Sequence, residues 1–424
     1  MDRETLVTRT GANGLELAAI ERQGRWLFAN DLLTTHNSRG PDNSTQLYDE
    51  PAVMAQAESI FSGLSKAIAS AGGSLHDLVR VDQYYPSNEY PDPYHVVRRR
   101  WLSSRIPPST SVIMPGLSLP GAEVSVSAVA LIGSAASSEE IRPESVPTPR
   151  ISSGYIPALA VGDLVFLAGM MACDSEGRDL ARPARGGIPP EATMNPEFSW
   201  DGREIKHQTR YLLGNIERAL KAAGSGIEGI LKCQVYLSDI ADMPYFNEVW
   251  LEAFGEHGPA RSIIPTTAFG VNRGIIEINT IASRNIAGVE RIPAGDEELV
   301  LRGDSSVVKC NDLGFVSGLI APTPRGGLAS DLSRSADLYY IPRASQEMEL
   351  VLDDLRKRLK RAACFLDNVA RVQLFVTTPS VLYPAAEALF RALKRPVPLS
   401  AVQVPGPLPV EGAQLMADVW LVTE

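Results

Sequence analysis

The sequence predicts an α+β protein made of three tandem units, and two observations lead to this expectation. The same order of predicted elements recurs three times along the 424 residues, and two polar segments separate the repeats. Each repeat reads strand, strand, helix, strand, helix, strand, strand, which is typical of a sheet with both helices on one face. We therefore divide the chain into units 1–133, 152–283 and 300–424, joined by linkers 134–151 and 284–299.

A long amphipathic helix followed by a strand is the clearest repeated element. It is found in segments that begin at Ala57, Thr209 and Met348, of which the second reads TRYLLGNIERALKAAGSGIEGILKCQVYL. Leu212 and Ile216 in this segment show the apolar spacing of one helix face. Small residues then interrupt the pattern, and the alternation that follows predicts a strand.

The elements around this helix also recur. An apolar strand precedes it, as in GRWLFAND, GDLVFLAG and NDLGFVSG. A second helix follows, as in PDPYHVVRRRW, MPYFNEVWLEAF and VLYPAAEALFRAL, and two closing strands complete each unit. Both linkers are rich in Ser, Pro, Gly and charge, so we expect them to bury little apolar surface.

The open sheet face of each unit needs a partner. A sheet that carries its helices on one face leaves the other face to be buried by something else. Three such units on one chain can pack their open faces around a common axis, which predicts a pseudo-threefold arrangement.

The composition excludes several classes of function. The formal net charge of −10 argues against nucleic acid as the main partner, because phosphate backbones are bound by clustered Lys and Arg. We interpret the one basic run, Arg98–Arg100, as a solvated helix face. The histidines show no metal-ligand spacing, and the four cysteines form no CxxC pair. We therefore expect a cytoplasmic protein without signal peptide, membrane contact, metal or nucleotide cofactor.

The middle unit resembles a known family. The runs GYIPALAVGDLVFLAG, ILKCQVYLSDIADMPYFNEVWLEAFGEHGPARS and IIEINTIA occur in order, and together they are similar to the RidA/YjgF family of reactive-intermediate (imine/enamine) deaminases. The resemblance implies a chorismate-mutase-like fold that assembles as a trimer, with a central barrel, outer helices and sites in the clefts between subunits. It also implies cofactor-free hydrolysis of 2-imino or 2-enamino acids to 2-oxo acids and ammonia. Three units on one chain would then form an intramolecular pseudo-trimer.

The resemblance also implies site residues in the middle unit. The substrate-binding arginine of the family falls on Arg261, with Ser262 beside it, and its carboxylate falls on Glu277. The pocket tyrosine falls on Tyr155, and the glycine that ends the apolar strand falls on Gly169. We expect Glu277 and Arg261 to be catalytic and Arg261, Ser262, Tyr155 and Gly169 to bind a small carboxylate substrate.

The other two units lack this pair of residues. The same spacing places Ser109 and Ser125 in the first unit, and the nearest equivalents in the third are Leu399 and Met416. We therefore predict one family-like site, with degenerate sites in units 1 and 3. We place Asn30 and Gly318 at the position of Gly169.

The residue types suit the implied chemistry. A guanidinium can bind a carboxylate through two hydrogen bonds, and a buried carboxylate can exchange protons as nitrogen leaves. Arg261 and Glu277 lie opposite each other on neighbouring strands if the chain folds back near Phe269–Gly270. They do not if the turn lies in the sequence VNRG.

Several alternatives stay open. The pair Arg261 and Glu277 can instead be an ion pair that supports the sheet. The chain can also be a hydrolase or lyase of another kind, opening a cyclic amide or acting on chorismate, or a non-catalytic protein that binds a 2-oxo acid. An inserted segment, 171–206, brings Arg182, Arg185 and Trp200 beside the expected site. We expect a monomer or a homodimer of pseudo-trimers.

Overall fold

In the part of the chain that it describes, a computed structural model shows an α+β protein with three large sheets and six α-helices. Among the described residues, no helix combines the length and hydropathy that a membrane span requires. The structure describes residues 2–10, 14–34, 36–37, 40–44, 46–103, 105–143, 146, 154–173, 187–195, 197, 203–295, 302–321, 332 and 342–423.

Two helices pack on each sheet, and the second of them connects two parallel strands. In every unit the first helix is long and the second shorter, as their apolar periodicity predicts. The helices are α1 (Ala52–Ser70) and α2 (Pro91–Trp101) in unit 1, α3 (Glu204–Ala222) and α4 (Met243–Phe254) in unit 2, and α5 (Arg343–Arg361) and α6 (Leu382–Leu393) in unit 3.

The three sheets share one strand order. The sheet of unit 1 has the order β1-β2-β3-β9-β6-β7, in which β6 and β7 are parallel and the other neighbours are antiparallel. Its strands are β1 (Arg3–Thr10), β2 (Glu16–Gln23), β3 (Trp26–Leu32), β6 (Leu78–Tyr85), β7 (Ser109–Ile113) and β9 (Ser125–Leu131); β4 (His36–Asn37) and β5 (Gly40–Pro41) form a separate small sheet.

The sheets of units 2 and 3 repeat this order as β10-β11-β12-β15-β13-β14 and β16-β17-β18-β21-β19-β20. The strands of unit 2 are β10 (Ser138–Ile141), β11 (Ala158–Val161), β12 (Leu164–Met171), β13 (Ile230–Leu237), β14 (Ala260–Pro265) and β15 (Ile276–Ser283). Those of unit 3 are β16 (Glu290–Pro293), β17 (Ser305–Cys310), β18 (Leu313–Val316), β19 (Val369–Val376), β20 (Leu399–Gln403) and β21 (Leu415–Val422).

Each unit has one edge strand more than the sequence predicts. The strands β10 and β16 lie in the two segments that we interpreted as linkers, and they pair with β11 and β17. An edge strand needs backbone pairing rather than a run of apolar side chains, which is why the polar composition concealed both. The proposed bounds of the units stay a prediction.

The two faces of each sheet have different partners. The outer face packs under the two helices of its own unit, as Leu212 and Trp250 do in unit 2. The inner faces of all three sheets meet in shared apolar clusters, one of which contains the fully buried Phe28, Phe166 and Phe315. The register of the sheets places these three phenylalanines at equivalent positions.

A polar layer also lies between the inner faces. The strands β6, β13 and β19 carry the cations Arg80, Lys232 and Arg371 at equivalent positions, and all three are buried. Nζ of Lys232 in unit 2 lies 2.7 Å from Oδ2 of Asp418 in unit 3, with side chains 1% and 0% exposed. This ion pair links the sheets of units 2 and 3, whereas Arg80 pairs with Asp82 of its own strand.

A short strand of unit 1 joins the sheet of unit 3. This strand, β8 (Gly116–Leu117), pairs antiparallel with Val402 and Gln403 of β20. It extends the third sheet to seven strands. The contact closes the side of the molecule where units 1 and 3 meet.

Candidate active site at the unit junctions

Strand register identifies equivalent positions in the three units. Arg261 lies opposite Cys233 on β13, and the same register places Ser109 in unit 1 and Leu399 in unit 3 at this position. Each of these residues lies on an edge strand that contacts the following unit: β7 contacts β12, β14 contacts β17, and β20 contacts β3. We call the three contact regions junction 1–2, junction 2–3 and junction 3–1 after the units that meet there.

The structure separates Arg261 from Glu277. Strand β13 lies between β14 and β15, so the two residues are not on neighbouring strands. They also lie on opposite faces, because Arg261 pairs across the sheet with Thr280, three residues from Glu277. The turn lies in VNRG, where the N–H of Gly274 donates to the carbonyl of Val271. The expectation that both residues serve one cleft does not match this geometry.

Arg261 lies at junction 2–3 and already binds a carboxylate of the chain. Its Nε is 3.0 Å from Oδ2 of Asp304 in unit 3, and its Nη2 donates to Oδ1 of Asn247 at 2.9 Å. The guanidinium carbon lies 4.5 Å from the ring centre of Trp250 and 5.4 Å from that of Phe246. The guanidinium is therefore held on two sides by aromatic rings and on a third by Asp304.

Electrostatics support this assignment of Arg261 as an interface residue. Burial lowers the pKa of the Arg261 guanidinium, while Asp304 acts in the opposite direction. Burial raises the pKa of Asp304 to about 6, and Arg261 limits the rise. Each charge thus depends on the other to remain in a buried place.

Glu277, Gly169 and Tyr155 meet at junction 1–2. The carboxylate of Glu277 lies on the backbone of Gly169, since a methyl group built at Gly169 would clash with Oε1 of Glu277. The same methyl group would lie 3.1 Å from Cγ2 of Thr110, which belongs to β7 of unit 1. Tyr155 packs against the apolar core of unit 1 and interacts electrostatically with Glu277, so these three predicted site residues all lie on the side of unit 2 that meets unit 1.

The side-chain carboxyl group of Glu277 is largely protonated, and therefore uncharged, near neutral pH. Burial raises the pKa of Glu277 to about 8, and the negative charge of Asp82 in unit 1 adds to the rise. Partial burial raises the pKa of the Tyr155 phenol, with contributions from Cys173 and Glu277. A carboxyl with a pKa near neutrality can both donate and accept a proton.

Ser262 belongs neither to the contacts of the Arg261 guanidinium nor to the group around Glu277. It is on the inner face of β14, where its hydroxyl donates to Oδ2 of Asp418 at 2.6 Å and accepts from Nζ of Lys232 at 2.9 Å. The structure thus places Ser262 in the polar layer between units 2 and 3. The residues Arg182, Arg185 and Trp200 lie outside the described residues.

One buried arginine escaped the sequence analysis. Arg98, which we interpreted as part of a solvated face, is fully buried at junction 1–2. Its Nη1 donates to Oγ of Ser109 at 2.7 Å and to Oε1 of Gln83 at 3.0 Å, whereas Arg100 is 54% exposed. The sequence feature that indicates the burial of Arg98 is its spacing from Tyr94, because residues four apart share one helix face.

Junction 3–1 differs from the other two. Leu399 and Leu17 of unit 1 both belong to the apolar core of unit 3. The register places Asp31, not Asn30, at the position of Gly169, and Asp31 has a φ of 50°. The expectation for Asn30 was wrong by one residue: Phe28 is equivalent to Phe166, and Asp31 follows Phe28 by three residues as Gly169 follows Phe166.

Comparisons with known proteins agree with the sequence pattern. A family model described as Endoribonuclease L-PSP matches residues 147–284. A RutC family protein from Pyrococcus horikoshii is 31% identical over 144 residues, which are 34% of this chain and 96% of the relative. Reactive Intermediate Deaminase A from Arabidopsis thaliana is 28% identical over 170 residues, 40% of this chain and 76% of the relative.

Two further comparisons give similar coverage. The 3-aminoacrylate deaminase RutC from Acinetobacter baylyi is 27% identical over 144 residues, 34% of this chain and 96% of the relative. The solved structure of RidA from an Antarctic Psychrobacter is 24% identical, with a TM-score of 0.27 over 34% of this chain and 98% of that one. Because the archaeal relative is matched over almost its whole length, the chain belongs to the Endoribonuclease L-PSP family of RutC and RidA proteins.

Proposed function

We propose that this protein is a hydrolytic deaminase that converts a carboxylated imine or enamine to a 2-oxo acid and ammonia at junction 1–2. The observation that carries the proposal is the buried Glu277, whose pKa is raised to about 8 beside Gly169 and Tyr155. Relatives named as deaminases support this class of reaction. The particular substrate is not part of the proposal.

Glu277 alone can move every proton of the reaction. For an enamino acid, its neutral carboxyl gives a proton to the terminal carbon, which leaves an iminium and a carboxylate. The carboxylate then takes a proton from water as the water oxygen bonds to the iminium carbon. The carboxyl passes this proton to nitrogen, ammonia leaves as the C–N bond breaks, and the remaining hydroxyl returns its proton to Glu277.

The arrangement of the units is part of the same proposal. We propose that the three sheets close into a central barrel with the helices outside, so that one chain takes the place of a trimer. The shared inner clusters and the common strand order support this arrangement. The four cysteines are buried and form no disulfide with one another, which suits a reducing compartment such as the cytoplasm.

Junction 2–3 suits a structural role better than catalysis. The guanidinium of Arg261 is occupied by Asp304, and Met416 stands at the position that corresponds to Glu277. A substrate carboxylate would have to displace Asp304 from a buried ion pair, which leaves an unpaired charge. We therefore assign the stabilisation of the interface between units 2 and 3 to Arg261.

The first test is ammonia release from freshly generated 2-imino and 2-enamino acids. The intact chain is compared with a double variant, Arg261→Met with Asp304→Leu, that removes both charges of junction 2–3 together. We expect both proteins to accelerate hydrolysis to a similar extent. Loss of the acceleration in a folded double variant would move the chemistry to junction 2–3, and the absence of acceleration in the intact chain would refute the proposed activity.

Replacing Gly169 by alanine is expected to lower the rate by about 10²-fold, because the new methyl group displaces the carboxylate of Glu277. The backbone of Gly169 is not in the left-handed region, so the alanine itself adds no backbone strain. Ammonia release and urea unfolding measure the two effects separately. Gly63→Ala is the matched control, since no atom lies within 4 Å of the added carbon in helix α1. Unchanged activity in Gly169→Ala would show that the position of Glu277 is not critical.

A further inference from the structure

Units 1 and 2 carry a guanidinium on different elements. In unit 2 the strand position holds Arg261, and the guanidinium rests on Trp250 of helix α4. In unit 1 the strand position holds Ser109, and helix α2 provides Arg98. Trp250 and Arg98 each lie four residues after a buried aromatic side chain, and each precedes its strand position by the same number of residues. The arginine therefore lies on the strand in unit 2 and on the helix in unit 1.

A guanidinium is therefore present at junction 1–2 as well as at junction 2–3. The hydroxyl of Ser109 accepts from Nη1 of Arg98 at 2.7 Å, so the helix arginine reaches the strand position that Arg261 occupies in unit 2. Gln83 holds the same nitrogen at 3.0 Å. Ser109 and Gln83 are neutral side chains, and the guanidinium retains its positive charge at any accessible pH. Junction 1–2 therefore has a fixed cation on the side of unit 1.

Junction 2–3 shows which group of the following unit binds the guanidinium. Asp304 and Tyr155 occupy equivalent positions in units 3 and 2. Ser305 follows Asp304 and Ile156 follows Tyr155, and the N–H of each donates the same backbone hydrogen bond to the preceding unit. The carboxylate of Asp304 binds the guanidinium of Arg261. At junction 1–2 this position holds Tyr155, which is partly exposed. Asp304 thus marks the place where a carboxylate binds the guanidinium at junction 2–3. At junction 1–2, where the proposed reaction occurs, Tyr155 stands in place of this aspartate.

Tyr155 also connects the cation to the proposed acid. Tyr155 packs against the apolar core of unit 1, and its phenol interacts electrostatically with both Arg98 and Glu277. Burial and the charge of Asp82 raise the pKa of Glu277, which favours its neutral form. A ligand that carries its own carboxylate next to a C=N carbon can reach both groups at once.

We propose that Arg98 binds the carboxylate of the substrate at junction 1–2 and makes the site specific for 2-imino and 2-enamino acids over uncharged imines. This inference rests on the proposed deaminase function. The guanidinium positions the carboxylate, Tyr155 takes the place of the internal aspartate, and the reacting carbon lies on the side of Glu277. Arg98 binds and positions the substrate, and Glu277 transfers the protons.

The test exchanges the two residues of unit 1 to match unit 2. Arg98→Trp is compared with the double variant Arg98→Trp/Ser109→Arg, using 2-aminoacrylate generated in the assay and its uncharged amide. We expect the single variant to lower kcat/KM for 2-aminoacrylate by about 10²-fold, mainly through KM, and to leave the rate for the amide unchanged. The double variant is expected to recover at least about tenfold, because it returns a guanidinium to the same place.

Two outcomes would overturn the inference. In folded variants, an equal loss for both substrates or no loss for either would show that Arg98 does not recognise a carboxylate. Binding of pyruvate, measured by calorimetry, tests the role of Arg98 separately from the proposed deaminase activity. If the intact chain releases no ammonia but binds pyruvate, and Arg98→Trp abolishes the binding, the deaminase proposal fails while the role of Arg98 stands. If pyruvate binding survives in Arg98→Trp, the inference about Arg98 fails.

Discussion

Glu277→Gln is expected to lower the rate of imine and enamine hydrolysis by about 10²- to 10⁴-fold, because the amide fills the same space but cannot exchange a proton. The space beside Gly169 is shaped around the side chain at position 277, so the amide should fit without repacking. Ammonia release under saturating substrate measures the effect. A variant that retains more than about a tenth of the rate would remove Glu277 from the mechanism.

The pH dependence of the wild-type enzyme follows from the same residue. The first step needs the neutral carboxyl, and the pKa of Glu277 is raised to about 8 by burial and by Asp82. We therefore expect kcat/KM to be constant below about pH 8 and to fall about tenfold per unit above it. A decline centred near the ordinary pKa of a glutamate would contradict this expectation.

Stability provides an independent check of the same pKa. A carboxyl whose folded pKa lies above its unfolded value contributes stability below the unfolded pKa, and this contribution is lost as the pH rises through the folded pKa. For Glu277 the window extends from the ordinary pKa of a glutamate, 4.5, to about 8. Glu277→Gln should therefore gain stability relative to wild type across this window, by several kcal/mol at about 1.4 kcal/mol per unit. Urea unfolding at both ends of the window measures this, and parallel pH profiles would refute it.

Asp418→Asn is expected to lower the free energy of unfolding by about 3–5 kcal/mol, because it leaves the ammonium of Lys232 buried without its anion. Burial alone would raise the pKa of Asp418, but Lys232 and Ser262 lower it below its ordinary value. The pair joins units 2 and 3, and the indole of Trp420 donates to Oδ1 of Asp418 at 3.1 Å.

Two further variants make this prediction specific. Removing both charges, with Lys232→Met and Asp418→Leu, should recover most of the lost stability, because no unpaired ion remains. The exposed pair of Lys221 and Glu217 is the matched control, and Glu217→Gln should change the free energy of unfolding by less than about 0.5 kcal/mol. Urea unfolding measures all three variants. A loss in Asp418→Asn no larger than in the control would show that the buried pair contributes little.

The order of elements could be predicted from the sequence, whereas the composition of the junctions could not. Hydrophobic periodicity is local, and it identified the helices and central strands of all three units. The separation of Arg261 from Glu277 depends on strand order, since β13 enters between two strands that follow one another along the chain. Local pattern does not encode which strand lies between two others.

Arg98 and Asp304 illustrate the same limit from the side of electrostatics. A run of three arginines on a helix usually faces water, and only the packing of α2 on its sheet shows that one of them is buried. Asp304 is an ordinary aspartate in the sequence until the start of unit 3 is placed against Arg261. Contacts between units decide the role of both residues, and such contacts connect residues that are distant in sequence.

The pairing of β8 with β20 has a consequence for the synthesis of the chain. Gly116 and Leu117 leave the ribosome early, but their partners Gln403 and Val402 are made near the end. At about 5–20 residues per second, the inner face of unit 1 waits tens of seconds before its last neighbour exists. Phe28 lacks its folded-state neighbours Phe315 and Trp420 of unit 3 during this interval. We therefore expect the fused chain to expose apolar surface for longer during translation than a single unit would.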